Sequence, residues 1–304
     1  MIGEKYHGGR RRDRSGPFAL FLVISMGLVI PRAAAAQAGN MVDVGGHRLY
    51  CKVSGRGRPT VVIDVGVGES FASWAFVAAE LAKTTSVLAY DRAGYGRSEM
   101  GPLPRNAGAE AADLKALLRK AAIEGPYILV GHSLGGLNMQ VFAHEYPEGV
   151  AGLVLLDPPP RGWLAGKAFP GLKEMFLRAA ADTSKAAEAA ERSANENQRR
   201  GAPFLRTVAS EHGEMFASTA RDVLAAKSFG GLRLVVVASG RPNPMFGEEA
   251  EAWQKYWIEE SRKLAGLSSS GEFVLAEASG HQIHQDAPGV VLAAIRKLLS
   301  ASTP

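Results

Sequence analysis

The segment Tyr127-Ile-Leu-Val-Gly-His-Ser-Leu-Gly-Gly136 most constrains what this chain can fold into. An apolar run with strand character passes directly into Gly131-His132-Ser133-Leu134-Gly135. Apolar residues then recur at helical spacing, at Leu134, Leu137, Val141 and Phe142, until Pro147 closes the pattern. A strand that becomes a helix within so few residues crowds its own backbone. Small residues are needed on both sides of such a turn, and Gly131 and Gly135 supply them. Ser133 is therefore expected to project from the carboxyl edge of a sheet. The bland alternative is a glycine-rich turn with no chemistry.

The surroundings fit a strand at the centre of a layered α/β fold. Short apolar runs at 60–63, 86–90, 127–130, 150–156, 232–238 and 273–276 read as strands covered on both faces. Helical patterns at 109–122, 137–145 and 248–264 alternate with them, which predicts a mostly parallel central sheet flanked by helices. The opening stretch from Met41 reads as a hairpin around Gly45-Gly46. The alternation fails once. Between Asp157 and Gly231 about seventy residues pass without a strand, far more than an ordinary βα connection. This segment is Ala-rich and carries Trp163, Met175, Phe176, Phe204, Met215 and Phe216 in amphipathic pieces. It predicts a helical cap insertion over 158–231, with the core formed by 39–157 and 232–304. Residues 179–201 read as a solvated helix with no direct role.

Serine is a weak nucleophile and needs an adjacent base, normally histidine. The chain has seven histidines. His7 falls in the N-terminal leader, His47 in the hairpin, His132 beside the serine but directed off the turn, His144 late in the following helix and His212 in the insertion. That leaves Ser279-Gly-His281, in a loop directly after the last strand, with His284 as a competitor expected to pack at the entrance of the final helix. His281 and His284 lack the further ligands of a zinc site. No metal or cofactor is expected.

These residues together resemble the α/β-hydrolase family, and the resemblance extends from Met41 to Leu299. Asp91-Arg-Ala-Gly-Tyr-Gly-Arg-Ser98 is similar to the family's D-R-x-G-x-G-x-S turn, which is mainly structural. The family order of nucleophile, acid and histidine is compatible with Ser133 preceding His281. In most members the acid follows the strand after the insertion, in a G-x-x-D pattern. Here that place reads Gly240-Arg-Pro-Asn243, and Asn243 cannot carry the charge. Another branch takes the acid from the end of the preceding strand, where this chain has Asp157. Glu248 and Glu249 are its competitors, and a turn-capping role is the structural alternative for Asp157. The resemblance also implies an oxyanion hole built from the backbone N–H of Leu134, after the nucleophile, and that of Val67, in Asp64-Val-Gly-Val-Gly-Glu-Ser70. Family members often have His-Gly where this chain has Val65-Gly66.

The resemblance implies a serine hydrolase cleaving a carboxylic ester through an acyl-enzyme. Amidase, aminopeptidase and cofactor-free perhydrolase chemistry use the same residues and stay open. A non-catalytic ligand- or partner-binding member is the reading of a different class. Family dehalogenases and epoxide hydrolases place Asp, not Ser, at the nucleophile position. The apolar residues of the insertion favour a small-molecule substrate, an apolar ester.

Net charge bears on partners only once it is located. The chain carries +5, yet Lys5, Arg10, Arg11, Arg12, Arg14 and Arg32 stand against only Glu4 and Asp13 in residues 1–38. The remainder holds 29 basic and 28 acidic residues, which gives no ground for a nucleic-acid partner. Thirteen uncharged residues from Phe18 to Ile30 follow the basic cluster, and Ala33-Ala-Ala-Ala-Gln-Ala38 follows them. This is the order of a secretory signal peptide, and its apolar run is shorter than the ~20 residues of a membrane span. A secreted or periplasmic protein without a stable membrane span after cleavage is expected, with an uncleaved anchor as the alternative. The single cysteine, Cys51, builds no disulfide within the chain and reads as a passive thiol. N-terminal sequencing of the exported protein should find a start near Gln37 or Gly39. Intact protein beginning at Met1 in the membrane fraction would refute cleavage.

Overall fold

A computed structural model describes residues 39–301. The leader expected over 1–38 lies outside the described residues. Eight strands form one sheet: β1 (Asn40–Asp43), β2 (Arg48–Ser54), β3 (Thr60–Asp64), β4 (Val87–Tyr90), β5 (Tyr127–His132), β6 (Val150–Leu156), β7 (Leu234–Ser239) and β8 (Gly271–Ala276). Their spatial order is β1-β2-β4-β3-β5-β6-β7-β8. The β1–β2 hairpin and the β2–β4 pair are antiparallel, and every other neighbour is parallel. β5 thus lies at the middle of the sheet between β3 and β6, where both faces are covered.

Period-two alternation divides the core into two layers. Val62, Leu88, Leu129, Leu153, Leu155 and Val236 face one cluster. Val61, Ile63, Val130, Val154, Val235 and Val237 face the other. The second layer is closed by α1 (Ala75–Leu81) and by α9 (Pro288–Ser300), which supplies Val291, Leu292, Ile295 and Leu298. The first is closed by α2 (Ala107–Lys120), α3 (Leu134–Glu145) and α8 (Ala250–Ala265). α2 starts two residues before its apolar pattern, because the Asn106 side chain accepts from the Ala109 N–H and caps it. Cys51 is buried on β2, and burial pushes its thiol pKa up.

Four helices occupy the stretch between β6 and β7: α4 (Arg161–Leu164), α5 (Pro170–Glu191), α6 (Glu196–Glu214) and α7 (Ser218–Ala225). Residues 179–201 are not one helix. α5 ends at Glu191, and Asn195 starts α6 by accepting from the Asn197 and Gln198 N–H groups. Trp163 sits where this stretch meets α8, with ring centroids of Phe216, Trp253 and Phe176 within 4.7–5.1 Å. Among the described residues no helix is long and apolar enough to cross a membrane.

The β5–α3 turn is as tight as its sequence demands. A Cβ added at Gly131 would lie 2.4 Å from the Gly135 carbonyl oxygen, and one at Gly135 would lie 2.4 Å from that of Asp64 and 2.6 Å from that of Val65. The first turn of α3 therefore rests directly on the end of β3. In an unobstructed helix, Gly→Ala stabilises by roughly 0.5–1 kcal/mol. At Gly135 the sign should reverse: Gly135→Ala is expected to cost about 1–3 kcal/mol or more, because backbone rather than a flexible side chain must yield. Urea unfolding of the two proteins measures this directly.

Candidate active site

Ser133 links β5 to α3 with φ 51° and ψ −121°, a conformation that costs an L-residue of order 1–3 kcal/mol. Its N–H donates to Leu156 O on β6 at 2.9 Å and its carbonyl accepts from Gly136 N at 2.9 Å, so the backbone is held on both sides. The side chain is half-buried at the carboxyl edge and has no hydrogen-bond partner among the described residues.

Asp157 follows β6 by one residue and is also left-handed, at φ 46°. Its N–H donates to Val237 O at 2.7 Å, and its buried carboxylate turns toward β7. Oδ1 accepts from the Ser239 N–H at 2.8 Å, while Oδ2 accepts from Ser239 Oγ at 2.9 Å and meets His281 Nδ1 at 2.7 Å. Gln254 of α8 donates to Ser239 O at 2.6 Å. A carboxylate on Nδ1 fixes the tautomer of the ring, leaving Nε2 to exchange protons. That nitrogen has no partner among the described residues. Asn243 instead accepts from the Met245 N–H and caps a short 3₁₀ turn, and Glu248 and Glu249 are exposed. The helical pattern read from residue 248 begins only at Ala250, because the chain kinks at Gly247.

The loop carrying His281 is pinned from both ends. Gly240 N and Arg241 N donate to Ser279 O at 3.1 and 3.0 Å, and Asp286 accepts from the Gly280 N–H at 2.8 Å. His132 Nε2 lies 2.8 Å from His281 O, and the two rings are 4.8 Å apart. The residue before Ser133 thus touches the loop that carries His281, which brings Ser133, His281 and Asp157 to one stretch of the sheet edge.

The turn after β3 carries Val67. Arg92, from the Asp91–Ser98 segment, is buried with its guanidinium on Asp64 at 2.7 Å, Glu211 of α6 at 3.0 Å, Val65 O at 2.6 Å and Gly66 O at 3.1 Å. A trans peptide points its C=O and N–H in opposite directions. By holding Gly66 O, Arg92 aims the Val67 N–H away from itself. The flanking N–H groups are already used: Gly66 N donates to Glu69 at 2.8 Å and Gly68 N to Tyr95 Oη at 2.9 Å. Val67 N–H has no partner among the described residues. Leu134 N–H stands at the first position of α3, where a helix offers no acceptor of its own.

Residues 56–295 match the alpha/beta hydrolase family. The chain belongs to that family. Uncharacterized protein YqjL of Bacillus subtilis (strain 168) is 26% identical over 236 residues, 78% of this chain and 81% of its own length. Several other curated relatives are matched over less than half of their length. A thermophilic esterase from Thermogutta terrifontis superposes with a TM-score of 0.65 at 22% identity, over 87% of this chain and 99% of that one. The epoxide hydrolase CorEH superposes with a TM-score of 0.67 at 18% identity, over 88% and 99%. At these identities the two structures establish a shared fold.

Three histidines of this hydrolase lie close together, and only one was expected at the site. His132 is wholly buried between Glu69, whose Oε1 is 2.8 Å from Nδ1, and the His281 carbonyl. Burial pulls its pKa down, but the Glu69 carboxylate and the His281 carbonyl outweigh that, leaving it raised. His284 stacks on Trp74 at 4.4 Å, with Nε2 3.1 Å from Ser73 Oγ. The sequence signal for Glu69 was its place in the Gly66–Ser70 turn; nothing in the sequence singled out Ser239 or Gln254. Among the described residues no three His, Cys, Asp or Glu side chains are grouped to hold a metal ion.

Burial, and next the charge on His132, bring the His284 pKa from 6.5 down to about 4. Between those values the unfolded chain binds the proton and the native hydrolase does not. The stabilisation is present above the unfolded pKa and is lost as pH falls toward 4. We expect this group to remove about 1–3 kcal/mol of unfolding free energy over that interval. His284→Gln should flatten the decline, as read from urea titrations at stepped pH.

Proposed function

We propose that this protein is an exported serine hydrolase that cleaves carboxylic esters, with Ser133 as nucleophile, His281 as general base and acid, and Asp157 as the orienting acid. The observation that carries this reading is the 2.7 Å contact between Asp157 Oδ2 and His281 Nδ1 beside a serine held at positive φ. Ser133 Oγ attacks the ester carbonyl as its proton passes to His281 Nε2. Charge then develops on the carbonyl oxygen, and the Val67 and Leu134 N–H groups are the donors available to it. Collapse breaks the C–O bond, and the leaving alkoxide takes the proton from Nε2. Water, deprotonated by the same nitrogen, attacks the acyl-enzyme and releases the acid. Asp157 stays anionic throughout and stabilises the imidazolium that forms in each half.

Serine at the turn favours ester cleavage over epoxide opening, which in this family begins from an aspartate nucleophile. The surroundings of His281 are aromatic: Trp257 stands edge-on to its ring at 5.9 Å, and Trp253, Trp163 and Phe246 pack behind Trp257 in the core. This supports an uncharged acyl or aromatic group. The leader read over 1–38 supports export.

Fluorophosphonate labelling combined with p-nitrophenyl ester turnover tests the assignment. Ser133→Ala should abolish labelling and lower turnover by about 10³–10⁶-fold. Asp157→Asn should lower turnover by about 10⁴-fold through loss of the productive tautomer. Asn243→Ala should leave it close to wild type. A wild-type protein that neither labels nor turns over would favour a binding role, and full activity in Asp157→Asn would remove Asp157 from the triad.

A further inference from the structure

We infer that Glu69 and His132 form a charged tether that positions the Val67 N–H and the His281 loop together for the reaction proposed above, on which this inference rests. His132 lies between two anionic or carbonyl oxygens, with a hydrogen bond at Nε2 and an ion-pair contact at Nδ1. Nε2 lies 2.8 Å from the His281 carbonyl oxygen, which can only accept, so Nε2 carries a proton. Nδ1 lies 2.8 Å from Glu69 Oε1. At that distance a bare Nδ1 lone pair would be repelled by the carboxylate, so the ring is held protonated through a close ion-pair contact and not through a directed hydrogen bond. The Glu69 carboxyl is the anionic partner: Oε2 accepts from the Gly66 N–H, and although burial favours its neutral form, the His132 charge holds its pKa well below the usual range. His132 is then an imidazolium with no solvent exposure.

The tether joins two parts of the site that are far apart in sequence. Arg92 holds the Val65–Gly66 peptide by its carbonyl oxygen and Glu69 holds it by its N–H, so the peptide plane that precedes Val67 N–H is fixed at both ends. Through His132 the same carboxylate reaches the backbone of His281, whose ring is fixed separately by Asp157. Groups facing His132 are Glu69 from the turn after β3, His281 from the loop after β8, Asp157 at the end of β6, His284 from the short helical turn Ile283–Asp286, and Trp74 from the segment before α1. Glu69 is the anion in direct contact. Without it the buried cation would lose its proton at lower pH. Glu69 and His132 are positioning residues, since neither is placed against the reacting atoms.

Side-chain NMR and steady-state kinetics on the whole protein test this. In the wild type, His132 should show two ring N–H signals near neutral pH, and in Glu69→Gln only one. Glu69→Gln and His132→Gln should each lower kcat on p-nitrophenyl butyrate about tenfold to hundredfold with KM changed less than about twofold, and the double variant should fall no further than the worse single one. The alkaline limb of kcat should move to lower pH in Glu69→Gln, because the cation is lost as pH rises through a pKa that no longer has Glu69 to raise it. A single ring N–H on wild-type His132 overturns the tether whether or not the variants fold. Labelled Ser133 together with unchanged kcat and pH profile in both variants overturns the tether alone. A wild type that neither labels nor turns over fails the serine reading itself, and the positioning role with it.

Discussion

Everything at this site depends on one constraint, the reversal of chain direction at Ser133 with φ 51°. A serine does not hold that conformation unless its surroundings leave no other. β5 arrives between β3 and β6 with its hydrogen bonds committed on both sides, and α3 leaves at once, resting on the Asp64 and Val65 carbonyls. The strain is offset by the packing of a central, largely buried strand and a nearly fully buried helix. The helix can come so close only because no Cβ stands at Gly131 or Gly135. A displaced α3 would move the Leu134 N–H, the end of β3 and the turn bearing Val67 together.

That coupling explains why polar side chains are buried here at all. The carboxyl ends of β3, β5, β6, β7 and β8 bring loops together whose backbone groups need partners, and an unpaired buried group costs more than a formed hydrogen bond contributes. Arg92 answers two carbonyls and two carboxylates, Asp157 gathers three donors, and Asp64 accepts from both Arg92 and Asn138. Glu211 extends the arrangement into α6, where it also accepts from Tyr95 Oη. Such networks contribute little net stability compared with an apolar core, but they penalise any altered geometry heavily. Their effect here is on the precision of a few backbone N–H groups.

The part of this arrangement legible in the sequence is the part written in local pattern. Short apolar runs located the parallel strands, and Gly131 and Gly135 announced the tight turn, because both depend on neighbours along the chain. Boundaries shifted where side chains intervened: Asn106 drew α2 forward, and Gly247 delayed α8 to Ala250. Asp157 could be singled out as a carboxylate at a strand tip, whereas its two Ser239 contacts depend on strand register, which no local pattern encodes. Arg92 was visible only as part of a structural turn. Its hold on the Val65 and Gly66 carbonyls arises from sheet order, since β4 lies beside β3. His132 was set aside because the turn directs it away from Ser133, and that same direction takes it to Glu69 and the His281 carbonyl.

Proximity of the three histidines forces their protonation states apart. His132 lies 4.8 Å from the His281 ring and 5.0 Å from that of His284, a spacing at which buried like charges repel strongly. His132 has an anion in contact at Nδ1 and a carbonyl acceptor at Nε2, so it is the ring that keeps the charge. His284 has a hydroxyl at one nitrogen, a tryptophan face beneath it and the His132 cation nearby, and it stays neutral down to about pH 4. His281 differs from both in being 31% exposed at its side chain, with Nε2 unclaimed by the described residues. In the reaction proposed for this site, one ring is therefore placed to take a proton and give it back. In the proposed reaction the Glu69 carboxylate offsets the His132 charge that stands 4.8 Å from the ring taking the proton.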